Sequence, residues 1–234
     1  MKYIYIFLLT CFVSFHGLSQ QKVYEDYSGF TIGKGNIQSE LTYNTYSFIA
    51  SEGDLTSLVA RYGLSNTVEL NMRCSHWSNT VLENEITGFL PMSFGSKFFV
   101  FDSPKARMVS HVGFLLPWTS GDINSDRLGF HFDFILNRKF NDIFSLESTI
   151  GILHQLEINT PYINMQGMVA VTESIDVFNQ LDLNFREDSH NYWYRIGTKI
   201  WVSEDIKLNF DYGIALESGY DNRFSIGILT RWLN

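Results

Sequence analysis

Along most of this chain apolar and polar residues alternate with the two-residue period of a β-strand. From position 205 to 217, Ile206, Leu208, Phe210, Tyr212, Ile214 and Leu216 form one set, and Lys207, Asn209, Asp211, Gly213, Ala215 and Glu217 form the other. Successive side chains of a strand point to opposite faces, so this segment is a strand with one oily and one wet side. The closing run repeats the pattern, with Phe224, Ile226, Ile228, Thr230 and Trp232 opposite Arg223, Ser225, Gly227 and Arg231. Ser218-Gly219-Tyr220-Asp221 between them is turn-rich, and together they predict an antiparallel hairpin.

The same pattern recurs upstream in about twelve runs, each near the 9 to 11 residues with which a tilted strand crosses a bilayer. Asn36 to Tyr46 is the first, and Ser51-Glu52-Gly53-Asp54 interrupts it. Two runs built on Leu58, Ala60, Tyr62 and on Val68, Leu70, Met72, Cys74 turn at Ser65-Asn66, and a polar connector is expected from Ser78 to Glu85. Ile86 to Val100 reads as one run with Leu90, Met92, Phe94, Phe98 and Val100 on its oily face. Runs carrying Met108 to Leu116, Leu128 to Leu136 and Phe144 to Ile152 follow, until Asn159-Thr160-Pro161 breaks the pattern. Asn164 to Thr172 does not keep parity, because Met165, Met168 and Val169 do not fall on one face. Short turns at Ser65-Asn66, Asp102 to Pro104, Asn141-Asp142, Glu173 to Asp176 and Ser203 to Asp205 alternate with mostly longer connectors, the asymmetry of barrels with short periplasmic turns and longer external loops.

Alternation alone does not say which face is outside, since a soluble calyx also alternates with its apolar side inward. The glycines decide it: Gly95, Gly113, Gly129, Gly151, Gly197, Gly213 and Gly227 all lie on the polar face. A curved, crowded interior has a use for glycine, and a solvated exterior has none. The oily face also carries Phe130, Phe132 and Phe134 along one strand, an aggregation surface against water but the required band against lipid. Tyr192, Tyr194, Tyr212, Phe224 and Trp232 fall near strand ends, where aromatic girdles sit. The predicted fold is all-β, a transmembrane antiparallel up-and-down β-barrel of about twelve strands occupying residues 20–234.

Composition agrees. Charged residues are 18% of the chain, below the roughly 25% of soluble domains, and the formal net charge of -8 argues against nucleic acid as a partner. The first 19 residues predict a secretory signal, with Lys2, an apolar run from Ile4 to Phe15 and cleavage after Ser19. Cys74 is then the remaining cysteine of the mature chain, so no internal disulfide is expected.

Specific segments suggest a family. Arg61-Tyr62-Gly63-Leu64-Ser65-Asn66-Thr67-Val68-Glu69-Leu70 resembles the strand-turn-strand signature of the phenol-degradation meta-pathway family of outer-membrane proteins. Gly33-Lys34-Gly35, Gly95-Ser96-Lys97, Leu116-Pro117 and Ser120-Gly121-Asp122 are similar to further segments of that pattern, in the same order. The chain departs from it at Pro117-Trp118-Thr119, and its last residue is Asn234 where barrel-insertion signals carry an aromatic, although Ile226, Ile228 and Trp232 keep the parity of such a signal. The resemblance implies an outer-membrane barrel inserted by the usual machinery, with a transport function.

The wet face is the candidate site. Its charged members are Glu40, Arg61, Glu69, Arg73, Lys97, Asp133, Glu147, Asp182, Arg195, Lys199, Lys207 and Asp211, and these are expected to line the lumen. They would either border a narrow pore for polar solutes or pair with one another and fill the interior. Arg61, Glu69 and Arg73, close across one tight turn, are the expected paired cluster on the periplasmic half. His111 and His131 also face inward on neighbouring strands, but two histidines without a third ligand at recognisable spacing read as satisfied lumen residues rather than a metal site. No cofactor is expected. His76 with Ser75 or Ser78 is the local candidate for a lipid-hydrolysing site, and no motif organises it. The sequence thus predicts a monomeric barrel in contact with membrane lipid, a channel or transporter for small solutes, with a lipid-modifying enzyme and a closed structural barrel as the rival classes.

Overall fold

The computed structural model describes residues 31–48, 51–81, 84–123, 127–155, 158–186, 190–216 and 220–232. The predicted signal and most of the lead before the first strand lie outside these residues. Among the described residues there are thirteen strands: β1 (Ile37–Phe48), β2 (Ser51–Gly63), β3 (Val68–Val81), β4 (Asn84–Phe89), β5 (Met92–Asp102), β6 (Ala106–Leu116), β7 (Gly129–Lys139), β8 (Phe144–Gln155), β9 (Ile158–Ala170), β10 (Ile175–Phe185), β11 (His190–Trp201), β12 (Ile206–Ala215) and β13 (Tyr220–Trp232). Each pairs antiparallel with its neighbours, and the β1–β13 ladder, from Ile37↔Trp232 to Phe48↔Tyr220, closes the sheet on itself.

β4 and β5 both pair with β3 and occupy one place in the wall, which gives a closed barrel of twelve staves. The break lies at Pro91, which has no N–H to give the ladder. There the register passes from Arg73↔Ser93 to His76↔Phe89, so that Leu90-Pro91-Met92 oppose Cys74-Ser75, a β-bulge. A bulge reverses parity. The sequence places Leu90 on the oily face of one continuous run, whereas Phe89 is the exposed residue and packs edge-on against His76, with ring centroids 5.2 Å apart.

The oily face is outside. Phe130, Phe132, Phe134, Ile150, Ile196, Tyr212 and Ile226 are all exposed, while the fully or nearly buried side chains include Gln38, Glu69, Lys97, Asp133, Lys199, Lys207 and Asp211. This inverts the usual partition of a water-soluble domain, and rules out the calyx. It is the surface that a hydrocarbon solvent selects, because a closed barrel satisfies every ladder hydrogen bond internally and leaves the outside to apolar side chains.

The two ends differ. At the end carrying the short turns, side chains cap the backbone: Ser65 Oγ accepts from Val68 N at 3.0 Å, Ser103 Oγ from Ala106 N at 3.1 Å, and Asn141 Oδ1 from Phe144 N at 2.7 Å. At the opposite, loop end the polar stretches expected to be connectors are strand. Ser51 to Asp54 lies in β2, Ser78 to Val81 in β3, Asn159 to Pro161 in β9, and Tyr220-Asp221 in β13. Hairpins that run on past a lipid belt need no apolar face, and their polar residues look like loop in the sequence. The irregular eighth run is also a regular strand. Met168 points inward and is buried, whereas Val169 and Met165 pair with the outward Phe144 and Ser148 positions of β8.

Candidate functional site

The lumen contains a cavity of about 530 Å³ whose wall is drawn from β1–β3 and β8–β13. Its charged lining comprises six bases (Arg61, Arg73, Arg195, Lys199, Lys207, Arg223) against three acids (Glu40, Glu147, Asp211), so this cavity is lined by more bases than acids in a chain of net charge -8. Tyr46, Trp77 and Trp193 gather at the loop end, with centroids 5.7 Å (Tyr46–Trp77) and 6.2 Å (Tyr46–Trp193) apart. The Arg223 guanidinium lies 5.5 Å over the Tyr46 ring and donates to Asn44 Oδ1 at 2.7 Å.

Two polar networks hold the lumen walls. In the first, Glu69 is fully buried between Arg61 Nε at 3.8 Å and Lys97 Nζ at 3.7 Å, and Arg61 also reaches Glu40 at 3.1 Å. The second runs across four strands: Lys199 Nζ donates to Gln166 (2.9 Å), Gln166 to Gln180 (2.9 Å), Gln180 to Asp182 (2.5 Å), and Arg195 bridges Asp182 (2.7 Å) and Asp211 (3.4 Å). Charges in such a low-dielectric setting are tolerated because each faces an opposite charge or a fixed amide.

The expected Arg61–Glu69–Arg73 cluster takes a different membership. Arg61 and Glu69 meet, but the third partner is Lys97, which the β3–β5 register sets opposite Glu69. Arg73 makes no ion pair within 4 Å among the described residues and presents its side chain to the cavity, as do Glu147 and Lys207. His111, His131 and Asp133 form a third group on the β6–β7 wall, outside the cavity, which takes no lining residue from β5, β6 or β7. His111 Nδ1 donates to Asp133 Oδ2 at 3.0 Å, and His131 Nε2 lies 3.3 Å from His111 Nε2. The third group that spacing alone does not supply therefore comes from the strand register, His111↔Asp133.

Reading polar as inward misses the apolar side chains that share the lumen. Phe178, Trp193, Trp201, Val109 and Leu229 are buried, with Lys199 Nζ 5.1 Å over the Phe178 ring and Lys207 Nζ 5.4 Å over the Trp201 ring. Phe178 shares the parity of Asp182, and Trp193 and Trp201 that of Lys199, which is the signal that finds them. The turn end is also partly capped by chain ahead of β1. Gly33 and Gly35 have φ of +81° and +79°, Gly35 N donates to Gly63 O at 2.8 Å, and the resulting bend buries Ile32, whose N–H donates to Glu69 Oε2 at 3.2 Å. A Cβ on Gly63 would overlap the Gly33 carbonyl, which accounts for glycine there.

The hydrolase candidate is not assembled. Ser75 is buried in the lumen wall with its Oγ 2.8 Å from Ser57 Oγ, while His76 is on the other face, bonded to Thr87 Oγ1 at 3.2 Å. Ser78 donates to Glu85 at 3.0 Å.

No protein-family model and no curated protein matches the sequence. Solved structures do match in fold. The COG4313 outer membrane channel from Pseudomonas putida F1 superposes with a TM-score of 0.74 at 9% identity, covering 90% of this chain and 100% of the channel. The NanC porin gives 0.62 at 10% identity, with 84% and 100% covered. The KdgM porin in complex with disordered oligogalacturonate gives 0.59 at 9% identity, with 83% and 99% covered. The fold is that of these outer-membrane β-barrels.

Proposed function

We propose that the protein is an outer-membrane channel that passes small anionic solutes as a monomer. One observation carries this reading: a cavity of about 530 Å³, walled off from an apolar exterior, with twice as many basic as acidic side chains facing it. Fixed charges along a narrow path select ions by sign, and Arg73, exposed to the cavity without an ion-pair partner among the described residues, is the side chain best placed to meet an anion. The aromatic group at the loop end offers flat surfaces where a solute enters. The fold shared with porins supports the assignment, and the KdgM porin's oligogalacturonate complex is a precedent for an anionic ligand.

We also propose membership of the phenol-degradation meta-pathway family, on the segments 33–35, 61–70, 95–97, 116–117 and 120–122; the contact of the first two with each other through Gly35 and Gly63 supports it. Cleavage after Ser19 and delivery to the barrel-insertion machinery through the outward set Ile226, Ile228 and Trp232 belong to the same proposal. A second reading, a barrel with a closed lumen, is favoured by the turn-end cap of Ile32 on the Glu69 network. Planar bilayers separate the two. The channel gives discrete conductance steps and, in a KCl gradient, a reversal potential of the sign set by chloride; no conductance above the empty bilayer leaves the closed barrel, and cation selectivity removes the anionic solute.

A further inference from the structure

The geometry of the β6–β7 wall points to a function that the cavity does not use. We propose that His111, His131 and Asp133 form a binding site for one divalent transition-metal ion such as Zn²⁺ or Ni²⁺. Each residue offers a donor atom, and the three atoms lie within 4.8 Å of one another. The two Nε2 atoms lie 3.3 Å apart, with the ring centroids 4.5 Å apart and the planes tilted by 57°. Two nitrogens bound to one tetrahedral ion at ~2.05 Å stand at about that separation, so the two nitrogen atoms have the spacing of ligands.

Hydrogen bonding alone accounts for only part of the arrangement. His111 Nδ1–H donates to Asp133 Oδ2, which leaves the lone pair of a neutral His111 on Nε2, and Asn71 Nδ2 and His131 Nε2 approach that atom at 3.1 and 3.3 Å. A carboxylate that fixes the tautomer of a histidine in this way is the usual support of a metal ligand. Asp133 itself is the residue left over. Its side chain is 7% exposed, its Oδ1 is buried without a hydrogen-bond partner, and no Lys or Arg comes within 4 Å of it among the described residues. A buried carboxylate with one idle oxygen is costly unless a cation is near. A divalent ion held by the two imidazoles supplies that charge close by, and nitrogen donors suit zinc or nickel.

The surrounding strands are built around the group. A Cβ on Gly95 would stand 2.8 Å from His111 Nε2 and 2.9 Å from Asn71 Oδ1, and one on Gly113 would stand 2.7 Å from His131 Nε2. One on Gly151 would overlap Asp133 Oδ1. Each member thus has a glycine on the adjacent strand, and a methyl at any of the three would invade the group. Imidazole and carboxylate in a room cleared on three sides are what an ion-binding site needs.

The test uses the full mature chain folded in detergent micelles and stripped with EDTA. ZnCl₂ is titrated by calorimetry and CoCl₂ by visible absorption. The expected result is one ion per chain, a ligand-field cobalt spectrum with nitrogen ligation, and a higher unfolding temperature with zinc. Asp133→Asn and the pair His111→Gln/His131→Gln are expected to weaken binding by about 10- to 100-fold or more, while the variant His76→Gln/His154→Gln/His190→Gln binds as the wild type does. Absence of saturable binding to the wild-type barrel overturns the proposal, whatever the variants do. So does stoichiometric binding that survives the His111/His131 pair or disappears with the other three histidines. Conductance plays no part in the readout, so the channel reading stands or falls separately.

Discussion

Removing the Glu69 carboxylate tests the account of the lumen most directly. This side chain is fully buried, carries ion pairs to Arg61 (3.8 Å) and Lys97 (3.7 Å), and accepts the Ile32 N–H (3.2 Å). Its partners are not equally exposed to its loss. Arg61 keeps Glu40 at 3.1 Å, whereas the Lys97 side chain, 7% exposed, loses the acid paired with it in the register. Deleting one member of a buried pair costs about 3–5 kcal/mol, chiefly through the charge left behind. Glu69→Ala is therefore expected to destabilise the barrel by about 3–5 kcal/mol. Glu69→Gln keeps an acceptor for Ile32, and is expected to recover about 0.5–1.5 kcal/mol of that loss. Adding Lys97→Met to Glu69→Ala removes the cation whose register partner has been deleted, and the double variant should be more stable than Glu69→Ala alone. The measurement is guanidinium unfolding in phospholipid vesicles followed by tryptophan fluorescence, read as a double-mutant cycle. A loss below about 1 kcal/mol for Glu69→Ala, or a double variant no better than the single, refutes the argument that charge burial governs this end of the lumen.

Arg73→Ala is expected to leave stability within about 0.5 kcal/mol, since no ion pair is lost, while moving the reversal potential in a KCl gradient toward zero; a bilayer recording checks it. Phe134→Arg, at the middle of β7 on the outer face, is expected to cost about 2–4 kcal/mol in vesicles, the depth-dependent penalty of a lipid-facing charge. Gly113→Ala puts a methyl against the His131 ring and is expected to cost about 1–3 kcal/mol by overpacking, measured in the same unfolding assay.

Much of this molecule was written in its parity. The outward set in β7, from Phe130 to Leu136, and the inward glycines follow from alternation and residue size. What the glycines are for did not follow, because Gly95, Gly113 and Gly151 answer to His111, His131 and Asp133 on neighbouring strands, and register across strands is not a property of one strand. The same holds for Lys97 replacing Arg73 beside Glu69. Two further departures have local causes. A binary code assigns Phe178 and Trp201 to lipid, although rings that lie under Lys199 and Lys207 belong among cations. Strand beyond the lipid belt carries no apolar face, so Ser51 to Asp54 and Asn159 to Pro161 resemble loops.

The ladder that closes the barrel has a consequence for the order of assembly. Ser39 Oγ and Thr230 Oγ1, 2.9 Å apart across β1 and β13, are separated by 191 residues of chain. Every other ladder of the wall joins strands that follow each other in sequence or skip only the short β4. Chain entropy makes contact over 191 residues about 2 kcal/mol harder to form than one over roughly twenty. Consecutive hairpins can zip one onto the next at little entropic cost, and the seam between first and last strands must wait for all of them. Until it forms, the molecule is a curled ribbon with two raw edges, each able to capture a stranger's strand.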